Sequence, residues 1–213
     1  MVQHFGECLD IQSVLDLTLA QGLRLSDAEL GNVQLVDWKA GYLKIVAQSG
    51  FSEEFLTFFK NVTIRDGSVC ARALRWREPI MVEDVMSDVE FAPCRAVACR
   101  AGFRAVQSTP IVSSSGALIG VLSTHFPSPH KPSAATMAAL EALARDAANA
   151  IIRRRSAKDD IKSVIRRTGQ VLEDSYRVLT LADHAVRYLH EKTLWQDECG
   201  SADVGHFQST PDR

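Results

Sequence analysis

The spacing of apolar residues changes period several times along the chain. Over 10–25, Ile11, Val14, Leu15 and Leu19 recur at helical spacing, which predicts a helix with Asp10 as its N-cap. Residues Asn32–Trp38 alternate polar and apolar, as a half-buried strand does. Lys39-Ala40-Gly41 then supplies a hairpin turn, and Leu43–Gln48 forms the return strand. Ser52–Phe59 reads as a short helix carrying a Phe55-Leu56-Phe58-Phe59 cluster, and Val62–Ile64 as a brief strand. Ser68 is placed to cap a helix over 69–77 that Pro79 ends. Ile80–Val82 is a strand, and Glu90–Ala101 a helix with Gly102 at its C-terminal end. Arg104–Val112 and Ala117–Phe126 are two strong strands joined by Ser113-Ser114-Ser115-Gly116. After Pro127-Ser128-Pro129, Ser133 caps an alanine-rich helix running to about Arg155. This order predicts an α+β fold with a mainly antiparallel sheet flanked by helices.

Alternation along strands assigns side chains to faces. On the last strand, if Val121 packs outward against helices, Ser123 and His125 share the opposite set with Ile119. On the strand before it, Val106, Ser108 and Pro110 form one set.

Beyond the alanine-rich helix the period becomes heptad-like. Ile161, Ile165, Thr168, Leu172, Ser175, Leu179, Ala182, Val186 and Leu189 are spaced alternately by four and three. Val164, Val171, Val178 and Ala185 repeat every seven residues beside them. One helix cannot bury so wide a stripe against itself, so it needs a partner helix. Gly169 marks a kink, or a turn between two shorter helices. The expected organisation is a domain over 11–155, a helical, coiled-coil-like extension over 156–192, and a disordered tail over 193–213, where the sequence turns polar and aperiodic.

Composition narrows the function classes. With 46% hydrophobic and 23% charged residues, the 213-residue chain is of ordinary globular make-up. Residues 153–192 hold 10 Lys/Arg against 6 Asp/Glu. The interleaved signs fit the solvated face of a helix better than a nucleic-acid surface. No apolar run reaches the ~18–20 residues of a membrane span. The start lacks the basic-then-apolar layout of a signal peptide, so a cytoplasmic protein is expected. The five cysteines are widely spaced and form no Cys-x-x-Cys, which argues against a disulfide scaffold or a structural zinc site.

Four stretches carry a family resemblance: Gly41–Phe51, Gly67–Ala73, Val82-Glu83-Asp84-Val85, and the hairpin from Arg104-Ala105-Val106-Gln107-Ser108-Thr109-Pro110-Ile111 through Gly120–Phe126. In this order and spacing, residues 11–155 resemble a GAF domain, most of all the GAF sensor domains of bacterial signal-transduction histidine kinases. The resemblance implies a module that binds a small molecule, works as a homodimer and passes a ligand-dependent change to a signalling partner. It implies a ligand site drawn from Ser68, Cys70, Phe91, Cys94, Val106, Ser108, Ser123 and His125. Ser108, Ser123 and His125 would be the polar groups of an apolar cavity, with the alternative that His125, near the strand end before Pro127, is a solvent-facing or hydrogen-bonded structural histidine. Backbone N–H groups at Gly67-Ser68 could meet an anionic group, but a plain capped helix start is the preferred reading. Gly116 and Gly120 are hairpin punctuation and a close-packed strand position.

The resemblance does not name the ligand or a cofactor. The Asn-Lys-x-Phe-Asp-Glu set of cyclic-nucleotide-binding members is missing. So is a Cys-His pair for bilin attachment, since Cys94 and Cys99 are each followed by Arg. One enzymatic branch, the free methionine-(R)-sulfoxide reductases, uses cysteines at places similar to Cys70 and Cys94. Its acidic residues are replaced here by Val106, Ser123 and His125, which removes the groups expected to hold an ammonium and protonate a sulfoxide. The reading from sequence is therefore a sensory module, with the thiol-based reductase as the alternative.

Overall fold

The computed structural model describes residues 10–199, which divide at Ala157/Lys158 into two units. The first unit opens with α1 (Ile11–Ser26), whose cap is as expected: the Ser13 amide donates to Asp10 Oδ1 at 2.7 Å. The hairpin β1 (Leu30–Asp37) and β2 (Tyr42–Ser49) follows, turning through Gly41 at φ 77°. Then come α2 (Glu53–Phe58), α3 (Val69–Trp76) and β3 (Ile80–Val82). The region expected to be one helix over 90–101 is a 3-10 turn, Ala92–Cys94, leading into α4 (Arg95–Ala101). Pro93 lies in that turn and can donate no backbone hydrogen bond. Gly102 ends α4 in the left-handed region at φ 78°. The hairpin β4 (Ala105–Val112) and β5 (Leu118–Phe126) leads to α5, which starts at Ala134, with the Thr136 amide bonded to Ser133 Oγ at 3.0 Å.

The five strands form one sheet in the order β2-β1-β5-β4-β3, every pairing antiparallel. The expected strand over 62–64 shrinks to a single bridge between Leu43 and Val62. Both faces of the sheet are covered. On one, Val33, Ala47, Ile111 and Leu122 meet Val14, Leu15 and Leu19 of α1 and Leu140, Leu143, Ala147 and Ile151 of α5. On the other, Leu43, Val82, Val106 and Val121 meet Phe55, Ala73, Leu74, Val97, Phe91 and Phe103 from the α2–α4 side. Burial of the Val, Leu, Ile and Phe side chains among these contributes roughly 1.5–3 kcal/mol each.

Two details of the last hairpin correct the face assignment. Val121 joins the α2–α4 side together with Ser123 and His125, instead of opposing them. Ile119 lies on the α1/α5 side. Ile111 pairs with Gly120 and Val112 with Leu118, so Ile119 is an extra residue in β5. A bulge of this kind resets the alternation beyond it. Gly120 is indeed a close-packed position: a Cβ there would lie 1.9 Å from the Gln34 carbonyl oxygen.

The second unit is the continuation of α5 from Lys158 to Cys199. The helix passes through Gly169 unbroken, so there is no turn between two shorter helices, and 193–199 remain helical. The rest of the expected tail, 200–213, lies outside the described residues. Ile161, Ile165, Leu172 and Leu179 are each about two-thirds exposed, as are Val164, Val171 and Val178.

Candidate functional site

Between the sheet and helices α2–α4 lies a small cavity of about 20 Å³. On the scale where one water needs ~10–15 Å³, it has room for a single water. Seven of the eight residues expected at a ligand site line it: Ser68, Cys70, Phe91, Val106, Ser108, Ser123 and His125. Cys94 does not. It is buried beside a neighbouring surface cleft of about 400 Å³ that also involves Arg65, Asp66 and Pro93. Phe59 and Ser68 border both spaces, so they form the wall between cleft and cavity.

The floor of the cavity is a polar row across three strands. Asn32 of β1 pairs with Ser123 of β5, which pairs with Ser108 of β4. The two serine hydroxyls are 2.8 Å apart. Gln34 and His125 stand two residues along from Asn32 and Ser123 on the same face, and both line the cavity. Asn32 and Gln34 are absent from the sequence-based site. Their alternation with Val33 and Leu35 reads as a solvent-facing edge, yet α2–α4 cover that face and leave them 3% and 1% exposed. Asn32 Oδ1, Gln34 Oε1 and His125 Nδ1 are all buried without a hydrogen-bond partner in the protein. An unmet buried polar group costs ~1–3 kcal/mol, so three beside one cavity need an explanation.

The remaining walls are apolar and aromatic. Phe55, Phe59, Phe91 and Phe103 line the space. The ring of His125 meets Phe103 edge to face at 4.7 Å and Phe51 at 4.9 Å. Phe91 is set by a polar hub outside the cavity. The Phe91 amide donates to Asp88 Oδ1 at 2.9 Å, and Arg72 of α3 pairs with the same carboxylate at 3.0 Å. Arg95 adds a bond to the Asp88 carbonyl at 2.9 Å. Asp88 thereby ties the loop carrying Phe91 to both α3 and α4.

No Asp, Glu, Lys or Arg lines the cavity. Burial pushes the His125 pKa down to about 3, against an opposing contribution from the Leu30 carbonyl, so the ring is neutral near pH 7. Burial also raises the Cys70 thiol, despite the Ser68 hydroxyl 3.4 Å from its sulfur. It pushes Cys94 up to about 11, helped by Cys70 and Asp66. Both cysteines are therefore thiols near neutral pH and poor nucleophiles. Ser68 occupies the N-cap position of α3 as expected, but its side chain makes no capping hydrogen bond; it is buried toward Cys70. Gly67 allows this close start, because a Cβ there would fall 1.9 Å from the Glu90 carbonyl oxygen.

An antiparallel five-stranded sheet covered on both faces, with a polar-floored cavity under three short helices, defines an α+β domain of the pocket-bearing kind. The chain belongs to the GAF domain family, whose profile matches residues 8–152. Members are typically small-molecule sensory modules of signalling proteins. No curated protein matches the chain in sequence. Among solved structures, it is similar to a domain assigned to a two-component sensor histidine kinase from Sinorhizobium meliloti, at 22% identity and TM-score 0.59, covering 71% of this chain and 97% of that one. It is similar to a GAF domain/HD domain protein from Geobacter sulfurreducens, at 19% identity and TM-score 0.58, covering 68% and 94%. It is also similar to the free methionine-R-sulfoxide reductase of Neisseria meningitidis, solved with its substrate, at 20% identity and TM-score 0.58, covering 70% and 81%. At such identities these likenesses carry the fold and not an activity. Among the described residues, no helix is long and apolar enough to cross a membrane.

Proposed function

We propose that the chain is a cytoplasmic sensory module of signal transduction that binds a small molecule and acts as a homodimer. Its first unit takes the ligand into the cavity over Asn32, Ser108, Ser123 and His125. Its second unit pairs with a second copy through the heptad face and passes the ligand-dependent change to a signalling partner. The observation that carries this reading is the set of buried polar atoms, on Asn32, Gln34 and His125, that no protein group satisfies. A bound molecule supplies the missing partners. The test is mass spectrometry of the purified chain for a retained small molecule, together with a metabolite screen for thermal stabilisation, since a ligand of the folded state raises stability by mass action. Empty protein and a flat screen would overturn the reading.

The position of Cys70 in the cavity wall keeps a second reading in view, a thiol-based methionine sulfoxide reductase. Two features weigh against it. The thiols are raised and not lowered, and no carboxylate lines the cavity to hold the substrate ammonium. Turnover of free methionine sulfoxide by the wild type, lost in Cys70→Ser or Cys94→Ser, would establish the enzyme instead.

A further inference from the structure

We propose that the cavity selects an uncharged, flat nitrogen heterocycle of single-ring size carrying a lactam-type edge, with N–H donors beside a carbonyl acceptor. This rests on the reading of the cavity as a ligand site and specifies its chemistry. The acceptors Asn32 Oδ1 and Gln34 Oε1 lack partners, and His125 Nδ1 beside them is unpaired too, so the ligand brings donors to the two amide oxygens. Ser108 and Ser123 supply the opposite need. Two hydroxyls carry two protons, and their mutual bond at 2.8 Å uses one. The other is left to donate to an acceptor on the ligand. An ion entering this space would lose its hydration and meet no counter-charge, a cost far above what neutral hydrogen bonds return. Against the polar floor stand the rings of Phe55, Phe59, Phe91 and Phe103, which suit the faces of a planar molecule.

The cavity is closed around about one water, so the ligand has to move part of the wall. The moving part is α2 with Phe59. It is a six-residue helix anchored by buried Phe55, which stacks on Phe51 at 3.7 Å, and otherwise held by the Ser52 cap at 3.4 Å and a surface ion pair of Glu54 with Arg100 at 2.7 Å. Displacing Phe59 from Ser68 joins the cavity to the outer cleft, which gives the entry route.

The experiment titrates the full chain with three kinds of probe, followed by calorimetry and by NMR of the His125 ring. The probes are neutral lactams (uracil, 2-pyridone, hydantoin), charged molecules (acetate, methionine sulfoxide), and the apolar ring toluene. The expected result is saturable binding of a lactam that moves the His125 signals. It should weaken about tenfold in each of Asn32→Ala, Gln34→Leu and Ser123→Ala, since one neutral hydrogen bond corresponds to about that factor. At least one of these variants must keep the wild-type far-UV spectrum for the comparison to count, and Gln34→Leu, which keeps the side-chain volume, is chosen for that. Binding of a charged probe and of no lactam would overturn the proposed ligand class and leave the cavity a ligand site. So would toluene binding that the three variants leave unchanged. If no probe of any kind binds, the cavity itself is not a ligand site and both readings fall.

Discussion

Ser108 and Ser123 face each other across the β4–β5 ladder with their hydroxyls 2.8 Å apart, and both are almost wholly buried. Removing either hydroxyl strands the other. We expect Ser108→Ala and Ser123→Ala each to cost ~1–3 kcal/mol, because a buried polar group is then unmet. The double variant removes both groups and should cost less than the sum. Urea unfolding of the four proteins gives the coupling directly. Strict additivity would show that the hydroxyls do not depend on each other.

His125 makes stability depend on pH. Its folded pKa, about 3, lies below the unfolded value near 6.5. Between these values the unfolded chain binds a proton that the folded chain does not. Stability is therefore complete above pH 6.5 and falls as the pH drops toward 3. At ~1.4 kcal/mol per unit, the loss reaches roughly 2–3 kcal/mol by pH 4.5. Asp10 and Asp84, whose carboxyls are lowered by the Ser13 backbone N–H and by Arg104, add their losses at lower pH. Comparing wild type with His125→Gln by urea unfolding from pH 7 to 4.5 isolates the histidine. Parallel curves would place an ionised or solvated imidazole there.

Asp88 links Arg72 of α3 to the loop that carries Phe91. Arg72 is nine-tenths buried, so Asp88→Ala leaves a guanidinium without its main counter-charge. The expected cost is about 3 kcal/mol, together with faster hydrogen exchange at the Phe91 amide. Protection of that amide at the wild-type level would show that the loop is held by Arg95 alone.

The parts legible in the sequence were those fixed locally. Hairpin turns, the Asp10 and Ser133 caps and the amphipathic helices come from neighbouring residues, and they stand where the pattern puts them. The misplaced parts depend on what arrives from elsewhere in the chain. Asn32 and Gln34 alternate with apolar neighbours, which is the pattern of a wet face; only the return of α2–α4 over that face makes it a cavity floor. Ile119 departs from the face of Val121 because of one inserted residue, and alternation carries no mark of a bulge; Val121 shares the parity of Ser123 and His125, so a strict period of two places it with them, as the structure does. Cys94 was grouped with Cys70 by family likeness, and the 3-10 turn at Pro93 instead directs it to the outer cleft. The cavity residues Ser108, Ser123 and His125 come from the family likeness and not from polarity alone, because Gln107, Thr109 and Thr124 beside them are equally polar and do not line the cavity.

Cysteine burial separates the two functional readings. Cys70 and Cys94 are buried with raised pKa values, and Cys99 is exposed. Iodoacetamide at pH 8 should label Cys99 within minutes and leave Cys70 and Cys94 unlabelled until urea unfolds the domain. Peptide mass mapping reads each site separately. Rapid native labelling of Cys70 would reveal an activated thiolate and favour the reductase.

The heptad face from Ile161 to Val186 makes the assembly testable. Leu172 and Leu179, seven residues apart, are 65% and 68% exposed in the single chain. Val171 and Val178 stand beside them, so the apolar stripe is wider than the two columns of a simple two-stranded seam. A chain displaying such a stripe gains by pairing it, at ~25 cal/mol for each Å² of apolar surface removed from water. We expect a dimer in sedimentation velocity at micromolar concentration, and at least a hundredfold weaker association for Leu172→Glu/Leu179→Glu. Both substitutions lie beyond Ala157, where the second unit begins, so thermal unfolding of the cavity-bearing unit should keep its cooperative transition. A monomeric wild type would remove the second copy as the occupant of the stripe and leave it to the signalling partner.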